Sequence, residues 1–374
     1  TLISYASNLP KGSIGATTVF ELDDEISSYK SIDLAIIAVA ESRNGNDLIS
    51  YAQDFDAVRR STYQLYSGNW NLTIADLGTL RSGESVQDTY YLLEQLVKEL
   101  HQHHVLPLVL GGSQDLMYPI YRSFDHLPQM VNVLNVDHLF DLGDIEAPLC
   151  NRNFIGKMVV EEPYHLFNYC NLGYQTYYSS QEEIELLDSM HFDALRLGKL
   201  DHDLKIVEPY IRDSDIVGVD LGCLDYGSSA FAKALPNGVN GKQLCSIARY
   251  AGMSDRVKTM GFFEMPRNYS TQGTGLISQA LWYFMEGLSL RSNEMLDLDS
   301  PNFLSYEVLS NQESIKFVKS CSSGRWWFQM TNSSDEYTIR DHHAFIPCAE
   351  SEYLMASRGE VPERWLRAKM KMHI

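Results

Sequence analysis

Long apolar runs are missing from this 374-residue chain. The longest, such as Leu34 to Ala40 and Val105 to Leu110, are strand length, against the roughly 20 residues a membrane helix needs. A membrane partner is therefore not expected. Positive charge is also scarce. Thirty Lys and Arg face 49 Asp and Glu, for a net charge of −19, and an acidic balance of that size repels nucleic acid and anionic surfaces. Cysteine pairs at metal or redox spacing are absent. Cys150, Cys170, Cys223, Cys245, Cys321 and Cys348 are scattered, with no CxxC. That fits thiols in a reducing cytosol better than a disulfide framework. The opening TLISYASNLPKGS has no basic region followed by an apolar core, so no signal peptide is expected and the location is read as cytoplasmic. Internal repeats and low-complexity tracts are lacking as well.

What remains is ordinary globular chemistry, with 44% hydrophobic and 21% charged residues. Short apolar runs alternate with amphipathic ones. SIDLAIIAVAES (31–42), NLTIADLG (71–78), VLPLVLGG (105–112), VNVLNVD (131–137), DIVGVDLG (215–222) and VKTMGFFEM (257–265) read as strands. Segment 48–66 has helical character, with Tyr51, Phe55, Val58 and Tyr66. Ser85 and Asp88 open a further helix whose Val86, Tyr90, Leu93, Val97 and Leu100 share a face. The alternation predicts a three-layer αβα fold with a mainly parallel sheet in residues 1–290. The polar, turn-rich texture after about 290 predicts a C-terminal α+β extension, 291–374, packed on it. It contains SYEVLS, SIKFVKS, RWWFQM and a final PERWLRAKMKM helix. Trp326, Trp327 and Phe328 are expected to pack the extension onto the main body.

Polar residues at the carboxyl ends of parallel strands are the places to look for a site. Four such ends carry GGSQD (111–115), DHLFDLGD (137–144), DLGCLD (220–225) and EMPRNYSTQGTG (264–275). Taken alone, Asp137, Asp141 and Asp220 are better read as helix caps and turn formers than as a site. HQHH (101–104) is read as a helix end, where histidines suit the dipole. His342 and His343 are likewise given no metal role.

In order and in placement, the four motifs resemble those of the arginase, agmatinase and formimidoylglutamase superfamily: a GGxH turn, a DAHxD segment, a DxD segment and a glutamate followed by a helix-opening threonine. NYCNLGYQ (168–175) is similar to the formimidoylglutamase branch. The resemblance spans roughly 31–290. It implies a fold of the arginase type and a chemistry in which two Mn²⁺ ions bridge a water, lower its pKa and deliver hydroxide to a guanidinium or formimino carbon.

Carried over residue by residue, the resemblance implies a damaged metal site. The turn histidine falls on Gln114, the DAHxD histidine on Leu139 and the second aspartate of DxD on Gly222. Gln114, Asp137, Asp141 and Asp220 are left as oxygen donors for one divalent cation (Mn, Mg or Ca), and a two-manganese cluster is not expected. His138, next to the lost position, would point away in an extended backbone. Asp144 and Asp225 are nearby carboxylates with no assigned part. Glu264 and Thr274 correspond to substrate contacts, and Asn153, in the segment 150–170 that replaces the family's histidine-bearing loop, is taken as another. If activity remains, Asp141 and Glu264 carry it. Met265, Pro266 and Ser270 depart from the substrate-binding pattern. Two functions stay open: a non-catalytic scaffold, partner-binding or ligand-sensing protein, and a hydrolase of linear amidines with an at most mononuclear metal site. The corresponding partners are a second copy of the chain, another protein, or a small guanidino or formimino ligand.

Overall fold

The computed structural model describes residues 1–20, 31–45, 55–231, 234–265, 270–294, 296–330 and 344–373. Its first sheet is built from β1 (Leu34–Ala40), β2 (Ile74–Arg81), β3 (Leu106–Gly111), β4 (Val131–Val136), β5 (Leu166–Tyr174), β6 (Asp193–Arg196), β7 (Ile216–Asp220) and β8 (Thr259–Phe263). The order across it is β2-β1-β3-β8-β7-β4-β5-β6, and neighbouring strands pair in parallel.

Continuous apolar runs form these strands because both faces are covered. In β1, Leu34, Ile36, Ala38 and Ala40 enter one core, while Ala35, Ile37 and Val39 enter the other. These two cores are the two interfaces of an αβα sandwich, as expected. On one side the helix Val86–Gln102 starts at a capping box of Ser85 and Asp88 and buries Thr89, Leu93, Val97 and Leu100. His101 sits in its last turn, with Nε2 2.9 Å from Thr259 Oγ1, so HQHH ends a helix as read. On the other side the helices Gly241–Met253 and Thr271–Ser289 contribute Leu244, Ile247, Ala248, Leu281 and Phe284.

The strands β5 and β6 were not foreseen. Asn168 and Asn171 interrupt the apolar run of β5, which hides it from a hydrophobicity pattern. Both are satisfied only in three dimensions: Asn168 Nδ2 donates to Asp193 Oδ2 at 2.9 Å, and Asn171 Nδ2 donates to Leu139 O at 2.6 Å. In the segment read as helical at 48–66, the helix runs Asp56–Gln64; Tyr51 lies outside the described residues, as do Pro266, His342 and His343.

A second sheet follows, antiparallel, in the order β12-β11-β10-β9. Its strands are β9 (Phe303–Ser310), β10 (Glu313–Ser320), β11 (Trp326–Gln329) and β12 (Phe345–Cys348). With the helices Glu350–Ser357 and Glu363–His373 it encloses a third core of Ile315, Phe317, Trp326, Phe328, Ile346 and Trp365. Trp326, Trp327 and Phe328 are all buried. Buried arginines join the two sheets. Arg212 Nη2 donates to Trp326 O and Cys348 O, and Arg364 Nη2 pairs with Asp213 Oδ2 at 3.2 Å. None of the six cysteines forms a disulfide. Among the described residues no helix is long and apolar enough to cross a membrane.

Candidate metal centre

The chain passes from β3 to β4 across the places later filled by β8 and β7. Connections therefore diverge at the middle of the sheet, and in such sheets ligands bind beyond the carboxyl ends of the strands at that point. All four motif segments lie there, at the ends of the adjacent strands β3, β8, β7 and β4.

Each segment is shaped by close backbone approach. At Gly112 a Cβ would lie 1.8 Å from Glu41 O, so no other residue fits. Gly112 O accepts from Glu264 N at 2.7 Å, which ties the first motif to the last. Gln114 N donates to Glu264 Oε1 at 2.9 Å, and so does Asn151 Nδ2. The side chain of Gln114 turns to β4, where Nε2 donates to Asn135 Oδ1 at 2.6 Å. Glu264 and Asp141 both sit in left-handed backbone, at φ 58° and 53°. Side chains with a Cβ rarely adopt it, and such strain concentrates at functional sites.

The retained aspartates are buried. Asp137 Oδ1 accepts from Leu139 N at 3.0 Å, and Oδ2 accepts from Asn135 Nδ2 at 3.2 Å. Asp220 Oδ1 accepts from Gly222 N at 2.6 Å. Thus the two positions that lack a ligating side chain present a main-chain N–H to the aspartate two residues before them, as in an Asx turn. Asp141 differs. Only 3% exposed, it accepts no hydrogen bond on either carboxylate oxygen among the described residues, and its carboxyl lies against that of Asp137. Arg152 Nη1 lies 3.7 Å from Asp141 Oδ1.

His138 corrects the expectation that it points away. Its Nδ1 lies 3.1 Å from Asp137 Oδ1, and Asp137, His138 and Asp220 each offer a ligand atom within 4.8 Å of the others. Since β4 ends at Val136, the in-out alternation of a strand does not govern residue 138.

The electrostatics follow from burial and crowding. Burial, then the charge of Asp137, holds the Asp141 carboxyl well above the usual carboxylate range. Burial, then Asp137 and Glu264, does the same to Asp220. For Asp137 burial also pushes upward, but the hydrogen bond and charge of His138 outweigh it and the net direction is down. Burial alone would weaken the Arg152 guanidinium as a base. Asp141, Asp220, Asp137 and Glu264 together reverse that. A cation entering such a group relieves repulsion that otherwise forces carboxyls to keep their protons.

Other candidates are placed differently. Asn153 Nδ2 donates to Asp144 O and Pro148 O, and its Oδ1 accepts from Cys150 N; it braces the loop, while its neighbour Asn151 reaches Glu264. Thr274 lies inside the helix Thr271–Ser289, where Oγ1 donates back to Ser270 O, and Ser270 rather than Thr274 caps the helix. Asp225 caps the turn Tyr226–Ser229, and Asp144 Oδ1 accepts from Glu146 N; both are turn formers. Arg152, Asn151 and Asn135 were missed. Only the CNRN string hinted at the first two, and an isolated polar residue inside the apolar run of β4 hinted at the third.

A family model described as Arginase family matches residues 33–285. The chain belongs to the arginase family. Among curated proteins, a formimidoylglutamase of Geobacillus sp. (strain WCH70) is 24% identical over 189 residues, 47% of this chain; the chain spans a little over half of that relative, 57% of its length. A formiminoglutamase of Trypanosoma cruzi, crystallised with Mn²⁺, superposes with a TM-score of 0.63 at 15% identity, covering 70% of this chain and 95% of the other. The formimidoylglutamase of Bacillus subtilis gives 0.64 at 14%, covering 74% and 91%. An agmatine ureohydrolase of Thermoplasma volcanium gives 0.57 at 16%, covering 77% and 97%.

The arginase-family metal pair can now be tested against this chain's donors. Leu139 and Gly222 bring no side-chain donor for a second ion, and their amides donate to Asp137 and Asp220. Asp137, His138 and Asp220 are grouped closely enough to share one ion, and Asp141 is not part of that group. Carboxylate oxygens with one imidazole suit Mn²⁺ or a similar divalent ion.

Proposed function

We propose that this arginase-family protein is non-catalytic and keeps the strand-end acid pocket to bind one divalent cation, together with a small guanidino or formimino ligand near Glu264. The observation that carries this reading is the pair of turns at Asp137 and Asp220. At each, a backbone amide takes an aspartate oxygen where the family places a metal-binding side chain. When bound, one cation would neutralise the carboxylates and polarise a ligand oxygen. A lone ion among several carboxylates generates hydroxide poorly near neutral pH, since each anionic ligand lowers its acidity. Binding would be read out through a second copy of the chain or another protein. Cysteines outside disulfides suit a reducing, cytoplasmic setting.

A second reading has an observation of its own. The Asp137–His138–Asp220 group and the buried Asp141 beside it favour a hydrolase of linear amidines working with one ion, with Asp141 and Glu264 next to the reacting atoms. One experiment separates the two. The purified protein is loaded with Mn²⁺, its metal content is measured, and release of urea or formamide from arginine, agmatine and formiminoglutamate is followed. One ion per chain and no product are expected. Manganese-dependent turnover abolished by Asp137→Ala would replace the first reading by the second.

A further inference from the structure

We propose that Arg152 is the pocket's own cation: its guanidinium stands in for the missing second ion, and a divalent metal ion must compete with it for Asp141. Three features carry this. First, the arginine's backbone is fixed. Asn153 spans the loop from Asp144 to Cys150, Asn151 N donates to Asn44 O at 3.2 Å, and Asn151 Nδ2 holds Glu264. Gly143, at φ 36°, makes room for the approach, since a Cβ there would lie 2.3 Å from Arg152 O. The stem of Arg152 therefore starts beside the DLGD turn that carries Asp141.

Second, the charge has a target. Asp141 is buried, neither of its oxygens accepts a hydrogen bond among the described residues, and the Arg152 guanidinium is the cation paired with it, at 3.7 Å. Asp137, Asp220 and Glu264 act on the same guanidinium. Third, the pairing is loose. At 3.7 Å it is an ion pair without a hydrogen bond, and the Arg152 side chain remains 38% exposed. A long arginine stem held only at its base can swing out to solvent and leave the carboxylates to a metal ion. The pocket thus has two mutually exclusive ways to balance its charge, one internal and one supplied from outside. A fixed positive charge a few ångströms from the cation site opposes metal binding by Coulomb repulsion and occupies an anionic ligand as well.

The inference rests on the one-cation reading above, but its test does not use turnover. Mn²⁺ is titrated calorimetrically into metal-free wild type, Arg152→Gln and Arg152→Lys. Thermal unfolding is recorded with and without the metal. Removing the charge should tighten Mn²⁺ binding about tenfold or more. Metal-free Arg152→Gln should melt below wild type, and Mn²⁺ should close that gap. Arg152→Lys keeps the charge and should bind Mn²⁺ within a few-fold of wild type. Equal or weaker Mn²⁺ binding by Arg152→Gln overturns the proposal, as does no measurable binding in either protein. An equal gain in Arg152→Lys would show that charge is not the cause and also overturns it. Turnover by wild type would instead sink the non-catalytic reading and leave these affinities to decide the role of Arg152.

Discussion

Replacing Gly222 by aspartate returns a carboxylate to the position where the family holds one, and the structure says what this costs without metal. A Cβ at residue 222 would lie 2.9 Å from Asp220 Oδ1. That oxygen accepts the 2.6 Å hydrogen bond from Gly222 N, so the carboxylate must turn away from its donor. Loss of a charge-assisted hydrogen bond in a buried turn costs about 2 kcal/mol. The added carboxyl also joins Asp137, Asp141 and Asp220, where burial and mutual repulsion already push the Asp141 and Asp220 carboxyls upward. A further desolvation cost of about 1 kcal/mol is a modest allowance. Metal-free Gly222→Asp should therefore be about 3 kcal/mol less stable than wild type, and its melting temperature should fall by roughly 4 °C. Mn²⁺ should reverse the loss, because an ion present at about 100 times its Kd contributes about 2.7 kcal/mol. Differential scanning fluorimetry with and without Mn²⁺ reads both effects. If the metal-free variant melts with wild type, the contact between residues 220 and 222 has been misread. If Mn²⁺ protects wild type as strongly as the variant and two ions bind, the damaged-site reading is wrong.

Three further outcomes follow from other contacts. Gly112→Ala should destabilise the fold by about 4 kcal/mol or abolish soluble expression, because its Cβ would meet Glu41 O at 1.8 Å; a near-neutral result in urea denaturation would contradict the geometry. Arg364→Met should cost about 3 kcal/mol, since it leaves buried Asp213 with Arg256 alone and removes the donor to Pro209 O; an unchanged urea midpoint would show that this ion pair does not hold the extension. Burial pushes His101 down to about 4, so it folds neutral. The unfolded state takes up its proton first as pH falls, so this contribution is complete above about pH 6.5 and is lost between there and about pH 4, up to about 3 kcal/mol. His101→Leu should flatten stability in that window, and an unchanged pH profile would argue against a neutral His101.

Much of the architecture was legible because it rests on local pattern. Apolar runs such as Leu34–Ala40 are buried on both faces, which only a covered parallel sheet provides. Ser85 and Asp88 announce a helix start through chemistry confined to one turn. The strand-end aspartates could be picked out because the order of the four motifs reports which strands end together. Gln114, Leu139 and Gly222 are visible as substitutions in any reading of that order. What tertiary structure alone decided is where the polar atoms go. Asn168 and Asn171 disguised β5, since their partners, Asp193 and Leu139, lie across the sheet. His138 turned toward the pocket because β4 stops at Val136, and a strand's end is set by pairing rather than by composition. Arg152 was passed over as one cation in a loop. Its place among four carboxylates depends on a left-handed Gly143 and on asparagine bonds that bring residues 141–153 back beneath Glu264. Periodicity specifies which faces are buried; a site is specified by atoms brought together from distant parts of the chain, and their separations exist only once the sheet has closed.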